Sequence, residues 1–116
     1  MDMQLEEQKK EILHWMYDFI EDEEDSDYSK SDVLECDRLL TKFISDTMSS
    51  SDRHELDWIS IQIKELVLKL NELNERCYEC LIETEQREGI CELIFTVMSK
   101  CGHSIDNDIT EEWREW

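Results

Sequence analysis

The apolar residues Leu56, Ile59, Ile63, Leu66, Leu70, Leu73, Cys77 and Cys80 follow one another by alternating steps of three and four. That spacing is the seam of a helix. No glycine or proline interrupts the stretch from Asp52 to Glu83 that contains it. Val67, Leu68, Leu81 and Ile82 widen the stripe, which suits a helix packed against several neighbours in one globule. Asp52 and Glu55 stand in capping-box spacing and mark its expected start.

The rest of the chain is equally poor in breakers. Proline is absent and glycine occurs twice, at Gly89 and Gly102. Strands need turns, and turns are built mostly from Gly, Pro, Asn and Asp. The expected fold is therefore all-α, a compact bundle of four to five helices around the long Asp52–Glu83 helix. Its 116 residues are expected to form a single helical domain, 1–116, with one modest core.

A first helix is expected from residue 2 to about 21, with Leu5, Ile12, Met16, Phe19 and Ile20 on one face and Trp15 at its border. A second follows Asp32, which with Glu35 has capping-box spacing. It runs to about Met48 and buries Val33, Cys36, Leu39, Leu40, Phe43, Ile44 and Thr47, deeper than the others. After Ile82 the apolar pattern lapses over 83–89 and resumes at Ile90, Leu93, Ile94, Val97, Met98 and Cys101. Gly102 then serves as a left-handed cap. The heptad phase carries through the lapse, but one helix from Asp52 would be a rod of about 75 Å at 1.5 Å per residue. A small monomer cannot cover such a rod, so a break within 83–89 is the favoured reading. A continuous seam would instead imply an oligomer, and the oligomeric state is left open. Ile105, Ile109, Trp113 and Trp116 fit a short final helix lidding the core, with Asp108 and Glu111 again in cap spacing.

Charge bears on function more than any motif does. The net charge is −19, from 31 acidic and 12 basic side chains. It disfavours direct nucleic-acid binding and anionic membrane surfaces, and it favours a basic protein partner. Between Tyr17 and Asp32 there are eight acids and one base, a net of −7 in sixteen residues. Asp22, Glu23, Glu24, Asp25 and Asp27 are the expected contacts to such a partner. Tyr28, set in that run with no apolar neighbour to cover it, is their expected aromatic anchor. An alternative surface lies around Glu111, Glu112 and Trp116. No register of the run supplies the central glycine of a calcium loop.

The cysteine count is five, and an odd set on apolar stripes reads as reduced thiols. With no secretion signal and no run long enough to span a membrane, a cytoplasmic location is expected. Cys77 and Cys80 have the spacing of a zinc knuckle or redox pair, to which Cys101 and His103 could add ligands. Yet both continue a helical seam, and no glycine lies nearby to make the turn a knuckle needs. Neither metal nor cofactor is expected. His14, His54 and His103 are dispersed, with nothing in their spacing to build a catalytic centre, so no enzyme activity is expected.

In size, charge, reduced cysteines, helical character and the Glu21–Asp27 run with Tyr28 beside it, the chain resembles the small acidic helical immunity proteins. These protect bacteria from their own nuclease toxins. The resemblance implies a cognate basic nuclease toxin as partner, neutralised by acidic side chains that occlude its substrate-binding surface. A nucleic-acid-mimic inhibitor of the phage type (anti-restriction or anti-CRISPR) shares this composition. A helical oligomerisation or adaptor module would follow from a continuous seam.

Overall fold

The computed structural model describes residues 3–22, 28–104 and 109–116, with the side chain of Asp22 excepted. These form four α-helices: α1 (Met3–Asp22), α2 (Lys30–Ser49), α3 (Leu56–Arg76) and α4 (Thr84–Lys100). A 3-10 turn (Ser51–His54) joins α2 to α3. No strand occurs among the described residues. One apolar cluster draws on all four helices. The close packing runs α3 on α2, α2 on α1 and α1 on α4, and α2 also touches α4 and the 3-10 turn. The second helix is thus the hub, and the seven side chains expected to be buried on it are the seven that are.

The long helix is shorter than its seam. α3 begins at Leu56, not Asp52, and ends at Arg76, not Glu83. At the front, Ser50 Oγ accepts the Asp52 N–H at 3.0 Å, and residues 51–54 wind into the tighter 3-10 turn. Leu56 is accordingly 49 % exposed and no part of the core seam. Arg53 reaches back to donate to the Met48 carbonyl at 2.6 Å, placing a cation on the negative end of α2. At the back, Tyr78 and Glu79 take left-handed backbone angles, φ 57° and 61°. Such residues are rarely other than Gly or Asn, because Cβ crowds the carbonyl. The turn is held by Asn74: its carbonyl accepts Glu79 N–H at 2.8 Å and its Oδ1 accepts Ile82 N–H at 2.9 Å. The break therefore falls before residues 83–89, which instead open α4. The heptad phase across it is accidental, and the continuous seam does not form.

The start of α2 also shifts by one turn. Ser29 is its N-cap, and Asp32 Oδ2 accepts the Ser29 N–H at 3.0 Å, so Asp32 is the inner member of the box rather than the cap. Gly102, at φ +87°, closes α4 as expected, with His103 N–H bonded to the Met98 carbonyl at 2.9 Å. Gly89 lies inside α4. A Cβ there would meet Ile12 Cγ1 at 2.8 Å, so its missing side chain sets how closely α1 and α4 approach.

Where a final helix was expected, residues 109–113 make a single turn, and Ile105 and Asp108 lie outside the described residues. Thr110, 1 % exposed, accepts the N–H groups of Trp113 and Arg114 at 3.0 and 2.9 Å. The tail docks on α3 through Asn71, whose Nδ2 donates to the Trp113 carbonyl at 2.8 Å while its Oδ1 accepts Glu115 N–H at 3.1 Å.

Candidate partner-binding surface

Of the acidic run, Glu23, Glu24, Asp25 and Asp27 lie outside the described residues. Asp22 is the last residue of α1. The exposure expected of Tyr28 is corrected: it is only 5 % exposed and belongs to the core. Its ring stacks on Phe19 at 5.4 Å and 17°, and its hydroxyl donates to the Met16 carbonyl at 3.4 Å. The cover comes from α1, whose apolar neighbours are distant from Tyr28 in sequence. Burial, and next the Glu83 carboxylate, push the phenol up to about 12. Tyr28 thus ties the end of the acidic run back to the helix it left.

The cleft that Trp15, Asp18 and Phe19 share with Glu83, Glu85 and Gln86 shows what else meets at this end of the molecule. The last turns of α1, the strained 77–83 turn and the start of α4 form one pole. To it Asp18 and Glu21 come from α1, Glu79 from the turn, and Glu83 and Glu85 from the cap and first turn of α4. Tyr78, 75 % exposed, stands on the turn. Between α1 and α4 lies an open cleft of about 430 Å³ bordered by Trp15, Asp18, Phe19, Glu83, Glu85 and Gln86, with no Lys or Arg in its lining. Gln86 closes the α4 cap by accepting the Glu83 N–H on its Oε1 at 3.2 Å. Sequence reasoning missed Glu83 and Glu85 because only the antiparallel course of α1 and α4 brings them beside Trp15, Asp18 and Phe19. The exposed Trp15 was visible as a border residue of α1.

The larger groove, about 630 Å³ between α2 and α3, is different in kind. Arg38, Lys69 and Arg76 are matched there by Glu35, Glu72 and Glu75. The Arg38 hydrogen bond holds the Glu35 carboxyl below its usual range. With its charges balanced, it exerts little net pull on an ionic partner.

The remaining candidate chemistry resolves into structure. All five cysteines are free thiols. Burial pushes Cys36 up to about 12 and Cys77 to about 11, so both are poor nucleophiles. The turn a knuckle would need does exist at Cys77–Cys80, made without glycine, contrary to expectation. But Cys101 lies beside His54, at the opposite end of α3, where its carbonyl is 3.0 Å from His54 Nδ1. A helix of 21 residues separates the two groups, roughly 30 Å at 1.5 Å per residue, so the four side chains cannot share one ion. Among the described residues no group of three or more His, Cys, Asp and Glu is placed to hold a metal. His103 Nε2 lies 2.9 Å from the Arg53 carbonyl, so two of the histidines pin the 3-10 turn to the end of α4. His14 is solvent-exposed and paired with Asp18 at 3.2 Å.

No protein-family model, curated protein or solved structure matches this chain. Among the described residues no helix is long and apolar enough to cross a membrane.

Proposed function

We propose that this chain is an inhibitor of the immunity-protein type, which neutralises a basic protein, a nuclease toxin, by covering its cationic substrate-binding surface from the acidic pole. One observation carries this reading. From Glu11 to Ser29 the chain holds eight carboxylates and no Lys or Arg, and α1 ends among them with no basic residue in its last turn. A helix C-terminus favours cations and disfavours carboxylates by about 0.3–1 kcal/mol each. The arrangement therefore opposes local stability, and such conflicts concentrate at functional sites. Glu79, Glu83 and Glu85 enlarge the same field. In this reading Asp22, Glu23, Glu24, Asp25 and Asp27 steer the encounter, while Tyr28 supports them from within. The oligomerisation reading loses its basis with the seam broken at 77–83. A nucleic-acid mimic needs an unbroken row of carboxylates, and Lys64, Lys69 and Arg76 make α3 itself a poor one; the Glu11–Ser29 run serves either reading, and the captured partner decides between them.

Capture of the partner from the source cells, with mass measurement, gives the first test: a basic protein is expected in a defined complex. Association is then followed at two salt concentrations for the wild type and for a variant with the five acids changed to Asn or Gln. Complementary charge raises association above the neutral ~10⁵–10⁶ M⁻¹s⁻¹, and the Debye length shrinks from ~30 Å at 0.01 M to ~10 Å at 0.1 M. The wild-type rate should fall with salt and the variant should be slow throughout. Equal, equally salt-dependent rates, or a homodimer with no basic partner, would overturn the reading.

A further inference from the structure

The cleft between α1 and α4 has walls of a particular kind. Trp15 and Phe19 are one helical turn apart on α1, so they share a face, and they stay 44 % and 36 % exposed. Phe19 is held by stacking on the buried Tyr28, and Trp15 meets the ring of its exposed neighbour His14 edge-on at 5.7 Å. Facing these rings from the start of α4 are Glu83 and Glu85, while Asp18, paired with His14, borders the cleft on α1 itself, and no Lys or Arg is in the lining. The group that fits is cationic, flat enough to lie on an indole, and able to donate several hydrogen bonds to carboxylates. A guanidinium meets all three conditions, whereas an ammonium is compact and strongly hydrated.

We propose that this cleft seats an arginine side chain presented by the basic partner, its guanidinium against Trp15 and within reach of Glu83 and Glu85. This deepens, and rests on, the reading of the chain as a binder of a basic protein. It assigns to Trp15 the anchoring role that the burial of Tyr28 denies to that residue. The acidic run brings the partner in, and the cleft holds it.

The probe is a blocked pentapeptide, acetyl-Gly-Leu-Arg-Leu-Gly-amide, compared with its citrulline counterpart, which keeps the shape and lacks the charge. Binding is read residue by residue from amide and indole N–H resonances. The arginine peptide should shift the Trp15 indole and the amides of residues 83–86 saturably, and the citrulline peptide should not. Trp15→Ala, at an exposed site, and Glu83→Gln with Glu85→Gln, which leaves an acceptor oxygen at the α4 cap, should each weaken binding roughly tenfold. Glu65→Gln with Glu72→Gln makes the same change in net charge on α3 and should leave binding intact. Equal binding of the citrulline peptide, equal weakening by the α3 pair, or a Trp15 resonance that does not move would overturn the cleft. If the arginine peptide shifts Glu21 and its neighbours but not Trp15, the cleft fails and the wider acidic surface stands. If the captured partner is not basic, the wider reading fails whatever the peptide does.

Discussion

Gly89 shows how a single atom can decide the distance between two helices. Alanine is the better helix former by about 1 kcal/mol, yet its Cβ would sit 2.8 Å from Ile12 Cγ1. Ile12 is β-branched and has essentially one rotamer in a helix, so it cannot swing aside. Overpacking costs about 1–3 kcal/mol, and Gly89→Ala should lower stability by about 1 kcal/mol net. Urea unfolding would measure this, and Ile12→Ala in the same chain should remove the penalty of the added methyl. Tyr28 belongs to the same scale. Its phenol is raised from 10.0 to about 12 by burial, so its folded form holds the proton more tightly than the unfolded chain does. The stability it contributes is complete below about pH 10 and is lost as pH rises through about 12. Cys36 and Cys77, raised from 9.0, add losses beginning near pH 9. The urea midpoint should therefore fall from about pH 9 upward, and Tyr28→Phe should flatten the part of the fall above pH 10.

At the scale of elements, α3 separates helical periodicity from burial. Leu56 and Ile63 are seven residues apart on one seam, but Leu56 is 49 % exposed and Ile63 is fully buried. Ile63→Ala should cost about 2–5 kcal/mol, whereas Leu56→Ala should stay within about 0.5 kcal/mol. Near-equal losses in thermal or urea unfolding would mean that residues 51–54 do not peel the chain away from the core. Two polar residues on the same helix, Asn71 and Asn74, are buried and satisfied by main-chain groups of segments that dock on it. They fix irregular chain to a regular helix, which apolar contact alone does not do, since it has no direction. Asn71→Ala should free the tail, shift Trp113 fluorescence toward the solvent value and cost about 1–3 kcal/mol, with α1 to α4 remaining helical by circular dichroism.

Across the whole molecule the dominant quantity is charge. A net −19 on a chain whose radius of gyration is 14.0 Å repels itself. Most ion pairs among the described residues lie at the surface; Lys9 alone is buried, bridging α1 to α2 between Glu6 and Asp37 at 3.3 Å and Thr41 at 2.8 Å. Exposed pairs contribute little, so screening them loses less than screening the repulsion gains. The thermal midpoint should rise as NaCl increases from 0.01 to 0.5 M, and a fall would show that ion pairing outweighs repulsion. The salt that stabilises the molecule should slow its association with a basic partner, and the opposite signs separate folding from binding in one series of measurements.

The sequence by itself determined the helical class, the buried face of α2 and the cap at Gly102. These depend on periodicity and on local backbone chemistry, which are written within a few consecutive residues. It also located the densest negative charge, since charge is additive and needs no fold to be counted. Only the tertiary structure decided where the long helix ends. The 77–83 turn depends on Asn74 bonding to Ile82 N–H across eight residues, and local spacing carries no trace of it. Only the tertiary structure decided that Tyr28 is covered, because the cover, Phe19, lies on the helix that precedes the acidic run. The candidate site divides in the same way: its acidic run is legible in the chain. The cleft exists because α4 returns antiparallel to α1 and sets Glu83 and Glu85 beside Trp15, a juxtaposition of residues some seventy positions apart that no local pattern encodes.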